Sequence, residues 1–154
     1  MSARLLVVHH TPSPAMQTLL EAALRGTAVE ELGALDVLTR PALSAGPADV
    51  FAADAVLLAT PANIGYMSGA LKHFFDVVYY PCLTDTVGMP YGVYVHGNDD
   101  TAGAVRAVRT MTTGMSWRPV AEPISVVGAP SPDDMEAVGE LAATLGAFAL
   151  GLAS

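Results

Sequence analysis

The chain has 154 residues, enough for one domain with a substantial core, and its 52% hydrophobic and 14% charged content excludes a disordered polypeptide. Its net charge of −8, from 7 Lys and Arg against 15 Asp and Glu, lacks the basic footprint that nucleic acid requires. The single cysteine, Cys82, excludes an internal disulfide or a cysteine-based zinc site, and the apolar runs are too short for a membrane span. The N-terminus leads almost directly into a strand-like run with no signal-peptide pattern, so a cytoplasmic protein is expected.

In chain order, Arg4-Leu5-Leu6-Val7-Val8-His9 is a short apolar run and reads as a buried strand. A turn over His10–Pro14 follows. Met16, Leu19, Leu20, Ala23 and Leu24 then recur at helical spacing, with Ser13 as N-cap, Pro14 at the first helical position and Gly26 as the expected stop. Leu35–Thr39 reads as a second strand and Pro47–Ala53 as a short helix. Ala55–Ala59 is the clearest strand of the chain.

A loop over Thr60–Gly65 is expected to lead into a helix from about Ser68 to Tyr80, ended by Pro81. Leu71, Phe74, Phe75 and Val78 form its apolar stripe. Tyr91–His96 reads as the fourth strand, Gly97–Asp100 as a loop and Thr101–Thr113 as a helix. Val120–Val127 is the fifth strand, in which Pro123 demands an edge or a bulge. Ser131-Pro132-Asp133-Asp134 starts the last helix with a cap, a proline and first-turn acid.

Strand and helix thus alternate five times, which implies a parallel sheet with helices on both faces, in one domain over residues 1–154. In such open sheets ligands bind outside the carboxyl ends of the strands. Three loops meet there: His10–Ser13, Thr60–Gly65 and His96–Asp100. The first offers the Thr11 and Ser13 hydroxyls and the free amides of a helix start, an anion site without formal positive charge. It matches neither G-x-G-x-x-G nor G-x-x-x-x-G-K-[ST], so a monophosphate fits better than a dinucleotide or nucleoside triphosphate.

The run Thr60-Pro61-Ala62-Asn63-Ile64-Gly65-Tyr66-Met67-Ser68-Gly69-Ala70-Leu71-Lys72-His73-Phe74-Phe75-Asp76 resembles the segment T-P-x-[YF]-x-G-x-[MP]-[SP]-G-x-[LM]-K-x-F-[LIF]-D of the flavodoxin-like FMN-binding oxidoreductases. That group includes the NADPH-dependent FMN reductases and the NAD(P)H:quinone oxidoreductases. The resemblance implies a flavodoxin-like fold, a five-stranded parallel sheet in the order 2-1-3-4-5. It implies FMN as cofactor and NAD(P)H as electron donor to a flavin, quinone or other small acceptor. Assembly as a homodimer or homotetramer is implied as well.

Carried over residue by residue, the resemblance assigns the FMN phosphate to Thr11, Ser13, Ala15 and Met16. The ribityl chain and the ring go to Pro61, Ala62, Asn63, Ile64 and Gly65, with a further approach from His96, Gly97 and Asn98. The sequence departs from the pattern at Pro14, where glycine is frequent, at Met16, where a hydroxyl residue is frequent, and at Asn63, where an aromatic or basic residue is usual. The flavin carries the chemistry, so no side-chain acid or base is required. His96 is the one candidate proton or hydrogen-bond donor.

The four histidines show no metal-binding spacing, and Gly65-Tyr66-Met67-Ser68-Gly69 is not the G-x-S-x-G of a hydrolase. Asp99 and Asp100 read as caps for the following helix. Among the aromatics, Tyr66 lies nearest the second loop, whereas Tyr79, Tyr80 and Trp117 are expected to pack at helix ends or in a subunit contact. Two other readings stand beside the oxidoreductase: a flavodoxin-type electron carrier docking a basic redox partner, and a flavodoxin-like module that has lost FMN.

Overall fold

The period-two alternation along the central strands sorts their side chains to two faces. The computed structural model describes residues 2–154 and shows both faces covered. From β1 (Arg4–His9) and β3 (Ala55–Asn63), Leu6, Val8, Val56 and Leu58 enter one core, and Leu5, Val7, Ala55, Leu57 and Ala59 enter the other. The first core is closed by α2 (Pro47–Phe51), α3 (Gly69–Cys82) and α4 (Ala102–Gly114). The second is closed by α1 (Pro14–Thr27) and α5 (Pro132–Ala149).

The remaining strands are β2 (Asp36–Pro41), β4 (Tyr66–Met67), β5 (Pro90–Gly97), β6 (Arg118–Pro119) and β7 (Ile124–Val127). The parallel order is β2-β1-β3-β5, with β6 and β7 both paired to β5 on the far edge and β4 paired antiparallel to β3. With β6 and β7 taken as one interrupted edge strand, this is the expected 2-1-3-4-5 order. Val120–Pro123 breaks that strand, because Pro119 and Pro123 have no ladder donor, and Val120 bonds only through its amide to the Tyr91 carbonyl.

Several boundaries differ from expectation. β2 starts one residue later and ends two later than Leu35–Thr39, and α2 stops at Phe51 rather than Ala53. Pro81 does not end α3: it has no amide to give the Val77 carbonyl one turn back, yet the helix reaches Cys82. Gly26 does not end α1 either. It lies inside the helix, against the backbone of Gly139 on α5. The cap expectations hold, since the Ser13 hydroxyl accepts from the Met16 amide at 3.2 Å and Ser131 forms a reciprocal capping box with Asp134.

Trp117 is buried and donates through Nε1 to Thr86 Oγ1 at 3.0 Å, packing just beyond α4 as expected. Tyr94 is fully buried, its hydroxyl finds no partner among the described residues, and burial pushes its pKa up. An unpaired buried hydroxyl costs stability. Tyr94→Phe is therefore expected to stabilise the protein by about 1 kcal/mol, seen as a rise of about 2–4 °C in Tm. No helix among the described residues is long and apolar enough to cross a membrane.

Candidate functional site

The second loop is not a loop. β3 continues through Pro61 and Ala62 to Asn63, turns at Ile64-Gly65 and returns as β4, pairing Ala62 with Met67 and Asn63 with Tyr66. Ile64 and Gly65 have φ of 49° and 72°, the two positive values that a type I′ hairpin turn requires. Glycine adopts this readily, whereas a β-branched residue there is strained. Ile64 nonetheless stands at the tip, fully exposed.

The base of the hairpin is fixed from inside. The buried Thr60 hydroxyl accepts from the Ser68 amide at 2.9 Å and donates to the Pro61 carbonyl at 2.8 Å. Ser68, also buried, caps α3 through the Leu71 amide at 3.1 Å. On the flank, Gly103 in the first turn of α4 lies so close to Gly65 that an added Cβ would meet its carbonyl oxygen at 2.0 Å. Sequence reasoning missed Thr60, Ser68 and Gly103 as parts of the site. The Thr60-Pro61 pair was visible in the motif, but a glycine inside a helix carries no such signal.

Ile64→Asn is expected to relieve the turn, since Asn-Gly is the preferred type I′ pair. The FMN-free protein should gain about 1 kcal/mol. In urea unfolding this appears as a higher midpoint at unchanged slope.

Between the hairpin and the end of β5 lies a cleft of about 470 Å³ lined by Ala62, Ile64, Gly65, Gly97, Asn98, Asp99 and Asp100. Five expected residues of the second and third loops thus meet in one place. A larger cavity of about 680 Å³ lies at the opposite ends of the strands, against Arg4, Asp36 and Asp54. The 470 Å³ cleft is the one at the carboxyl ends, where open parallel sheets bind ligands. Its outer rim is acidic, and the Asp100 carboxylate accepts from the Ala102 amide at 2.9 Å, which is the capping role expected of it.

Pro61 and His96 face each other in register, both buried. The His96 ring bonds through Nε2 to the Gly128 carbonyl at 2.9 Å, so Nε2 carries the hydrogen there. Tyr66 is exposed on the returning arm of the hairpin.

The first loop follows β1, which lies beside β3 on the side away from β5. Two strand spacings, about 10 Å, therefore separate it from the third loop. The Met16 side chain is buried in the core, and its amide is taken by Ser13 Oγ. The amides of Thr11, Ser13 and Ala15 find no acceptor among the described residues, and the first turn of α1 has no acidic residue. His9 Nδ1 lies 2.7 Å from Thr11 Oγ1, and burial, then the neighbouring His10, lowers the His9 pKa. His10 Nδ1 is buried without a partner among the described residues.

These features suit a flavin mononucleotide. Unpaired amides at a helix start of 14 residues without first-turn acid suit a phosphate. A cleft between backbone-rich loops with one apolar tip suits a flat ring. No group of three or more potential metal ligands occurs among the described residues.

Solved structures share the fold throughout. A flavodoxin from the domain Archaea aligns with a TM-score of 0.80 at 14% identity, over 96% of this chain and 99% of that one. A WrbA-like flavodoxin from Agrobacterium tumefaciens aligns at 0.76 and 16%, over 98% and 99%. The rubredoxin oxygen:oxidoreductase of Desulfovibrio gigas aligns at 0.81 and 13%, with 99% of this chain matching 38% of that larger one. No curated protein sequence matches the chain. The NADPH-dependent FMN reductase family matches residues 38–130, more than half of the length. That match contains the hairpin, the cleft and the acidic rim, and the chain belongs to this flavodoxin-like, FMN-binding family.

Proposed function

We propose that this chain is a single-domain FMN-dependent oxidoreductase that takes electrons from a reduced nicotinamide cofactor and passes them to a small acceptor such as a flavin or quinone. The observation that carries the reading is the braced hairpin: a strained, solvent-facing Ile64 held by Thr60 and Gly103 over a cleft at the carboxyl ends of the strands. Nothing in the core requires that strain, and strained residues cluster at ligand sites.

In this reading Thr11, Ser13 and Ala15 hold the phosphate, and Met16 contributes position only, through its capped amide. The acidic rim at Asp99 and Asp100 repels a phosphate, which directs that end of FMN to the first loop. Pro61, Ala62, Asn63, Ile64 and Gly65 form one wall of the ring site, and Gly97 and Asn98 the other. His96, tied to Gly128, orients the end of β5. Bound FMN would supply hydride acceptance and onward electron transfer, and the protein's share is to bind, orient and tune it. Backbone donors at the pyrimidine edge of the ring would favour its reduced, anionic form.

The exposed cleft and the acidic rim also suit a carrier that docks a basic redox protein, which is the second reading. One experiment separates the two. FMN is titrated into the purified protein and followed in the visible spectrum, and NADH or NADPH is then added without oxygen. Bleaching by either nucleotide is the expected result. Bleaching only by a ferredoxin-type reductase supports the carrier, and no binding of FMN overturns both.

A further inference from the structure

The first loop must hold a phosphate with little help. Residues 10–16 contain no Lys or Arg, and Pro12 and Pro14 have no amide to give. The Ser13 hydroxyl accepts from the Met16 amide, which leaves its own proton free to donate. Thr11 and Ser13 are therefore the loop's two hydroxyl donors, and the Thr11 oxygen is not independent: it lies 2.7 Å from His9 Nδ1.

That contact has two forms. With hydrogen on Nε2 only, His9 Nδ1 is an acceptor and takes the Thr11 proton, leaving the loop one donor short. With hydrogen on Nδ1, the ring donates to Thr11 Oγ1, and the hydroxyl proton is free to point outward. The free proton then needs an acceptor, which an FMN phosphate would provide. Charge-assisted hydrogen bonds of this kind are about twice as strong as neutral ones.

We propose that His9 is a positioning residue for the cofactor phosphate: by donating from Nδ1 to Thr11 Oγ1 it turns the Thr11 hydroxyl outward as a phosphate donor. The proposal rests on the FMN reading above and adds to it a residue that never touches the cofactor. Phosphate binding selects the Nδ1–H form of the ring, and a ligand without phosphate does not.

The test compares FMN with riboflavin, which has the same ring and lacks the phosphate. At about pH 8 a histidine of ordinary pKa near 6.5 is neutral and a phosphate monoester with second pKa near 6 is a dianion. Nitrogen-15 NMR of histidine-labelled wild type is expected to show hydrogen on His9 Nδ1 with FMN bound and not with riboflavin. His9→Phe is expected to weaken FMN about tenfold and leave riboflavin unchanged. His9→Asn, whose amide nitrogen can take the place of Nδ1–H, should restore binding to within about threefold. Thr11→Val should match His9→Phe, and the double variant should be no worse than Thr11→Val.

Equal losses for FMN and riboflavin, additive effects in the double variant, or an Nε2–H ring in the FMN complex would each overturn the proposal while leaving the cofactor site standing. The NMR arm needs no variant, so a misfolded His9→Phe does not rescue it. If wild type binds neither ligand, the cofactor reading falls and this proposal falls with it.

Discussion

Gly103→Ala is expected to weaken FMN binding by about 10- to 100-fold while the fold stands. The added methyl would lie 2.0 Å from the Gly65 carbonyl oxygen, 2.8 Å from its carbonyl carbon and 3.3 Å from its Cα. These are backbone atoms, so no side-chain rotation relieves the clash. Overpacking of this kind costs about 1–3 kcal/mol. α4 is anchored through Ala104, Ala107 and Val108 in the core, whereas the hairpin tip is exposed and paired on one side only. The hairpin is therefore the part that gives way. It moves off α4 and the wall of the cleft moves with it, so the cost falls on the ligand. FMN titration by fluorescence quenching should show the loss, and Tm should drop by only a few degrees. Retained affinity with a large fall in Tm would mean that α4 is what shifts.

Gly26→Ala is expected to do the reverse, lowering stability by about 3 kcal/mol with FMN affinity per folded molecule unchanged. An added Cβ at Gly26 would meet the Gly139 carbonyl oxygen at 2.1 Å and its carbonyl carbon at 2.6 Å. Gly139 has more room, since a Cβ there would lie 3.2 Å from the Ala22 carbonyl oxygen and 3.7 Å from the Gly26 Cα. The two helices touch through backbone along this line, so one methyl must separate them. Separation opens the core formed by Leu19, Leu20, Ala23, Val138, Leu141 and Ala142. For a chain of this size the loss corresponds to about 6–12 °C in Tm. Thermal unfolding measures it, and FMN titration well below the transition checks that the site is intact. The pair of variants separates the glycine that shapes the site from the glycine that shapes the scaffold.

The acidic rim bears on the choice of electron donor. Asp99 and Asp100 line the outer side of the cleft, and Asp100 is held there by its bond to the Ala102 amide. A donor carrying an extra phosphate meets repulsion at that edge, screened in part by salt. Steady-state reduction with NADH and NADPH at low and high ionic strength reads this directly.

The sequence by itself determined the layers, the strand order and the cofactor class. The uninterrupted apolar runs at Leu5–Val8 and Ala55–Ala59, capped helix starts at Ser13 and Ser131, and the run from Thr60 to Asp76 are local signals, and local signals survive folding. Only the tertiary structure decided the rest. The hairpin at Asn63–Tyr66 has no local signal, since Ile-Gly is a poor type I′ pair. It forms because Thr60, Ser68 and Gly103 hold its base and flank. Gly26 reads as a helix stop, because glycine commonly ends helices, yet its role is set by Gly139, more than a hundred residues away in the chain. Close backbone approach between distant segments leaves no periodicity and no motif. It shows only when the space beside a missing Cβ is filled.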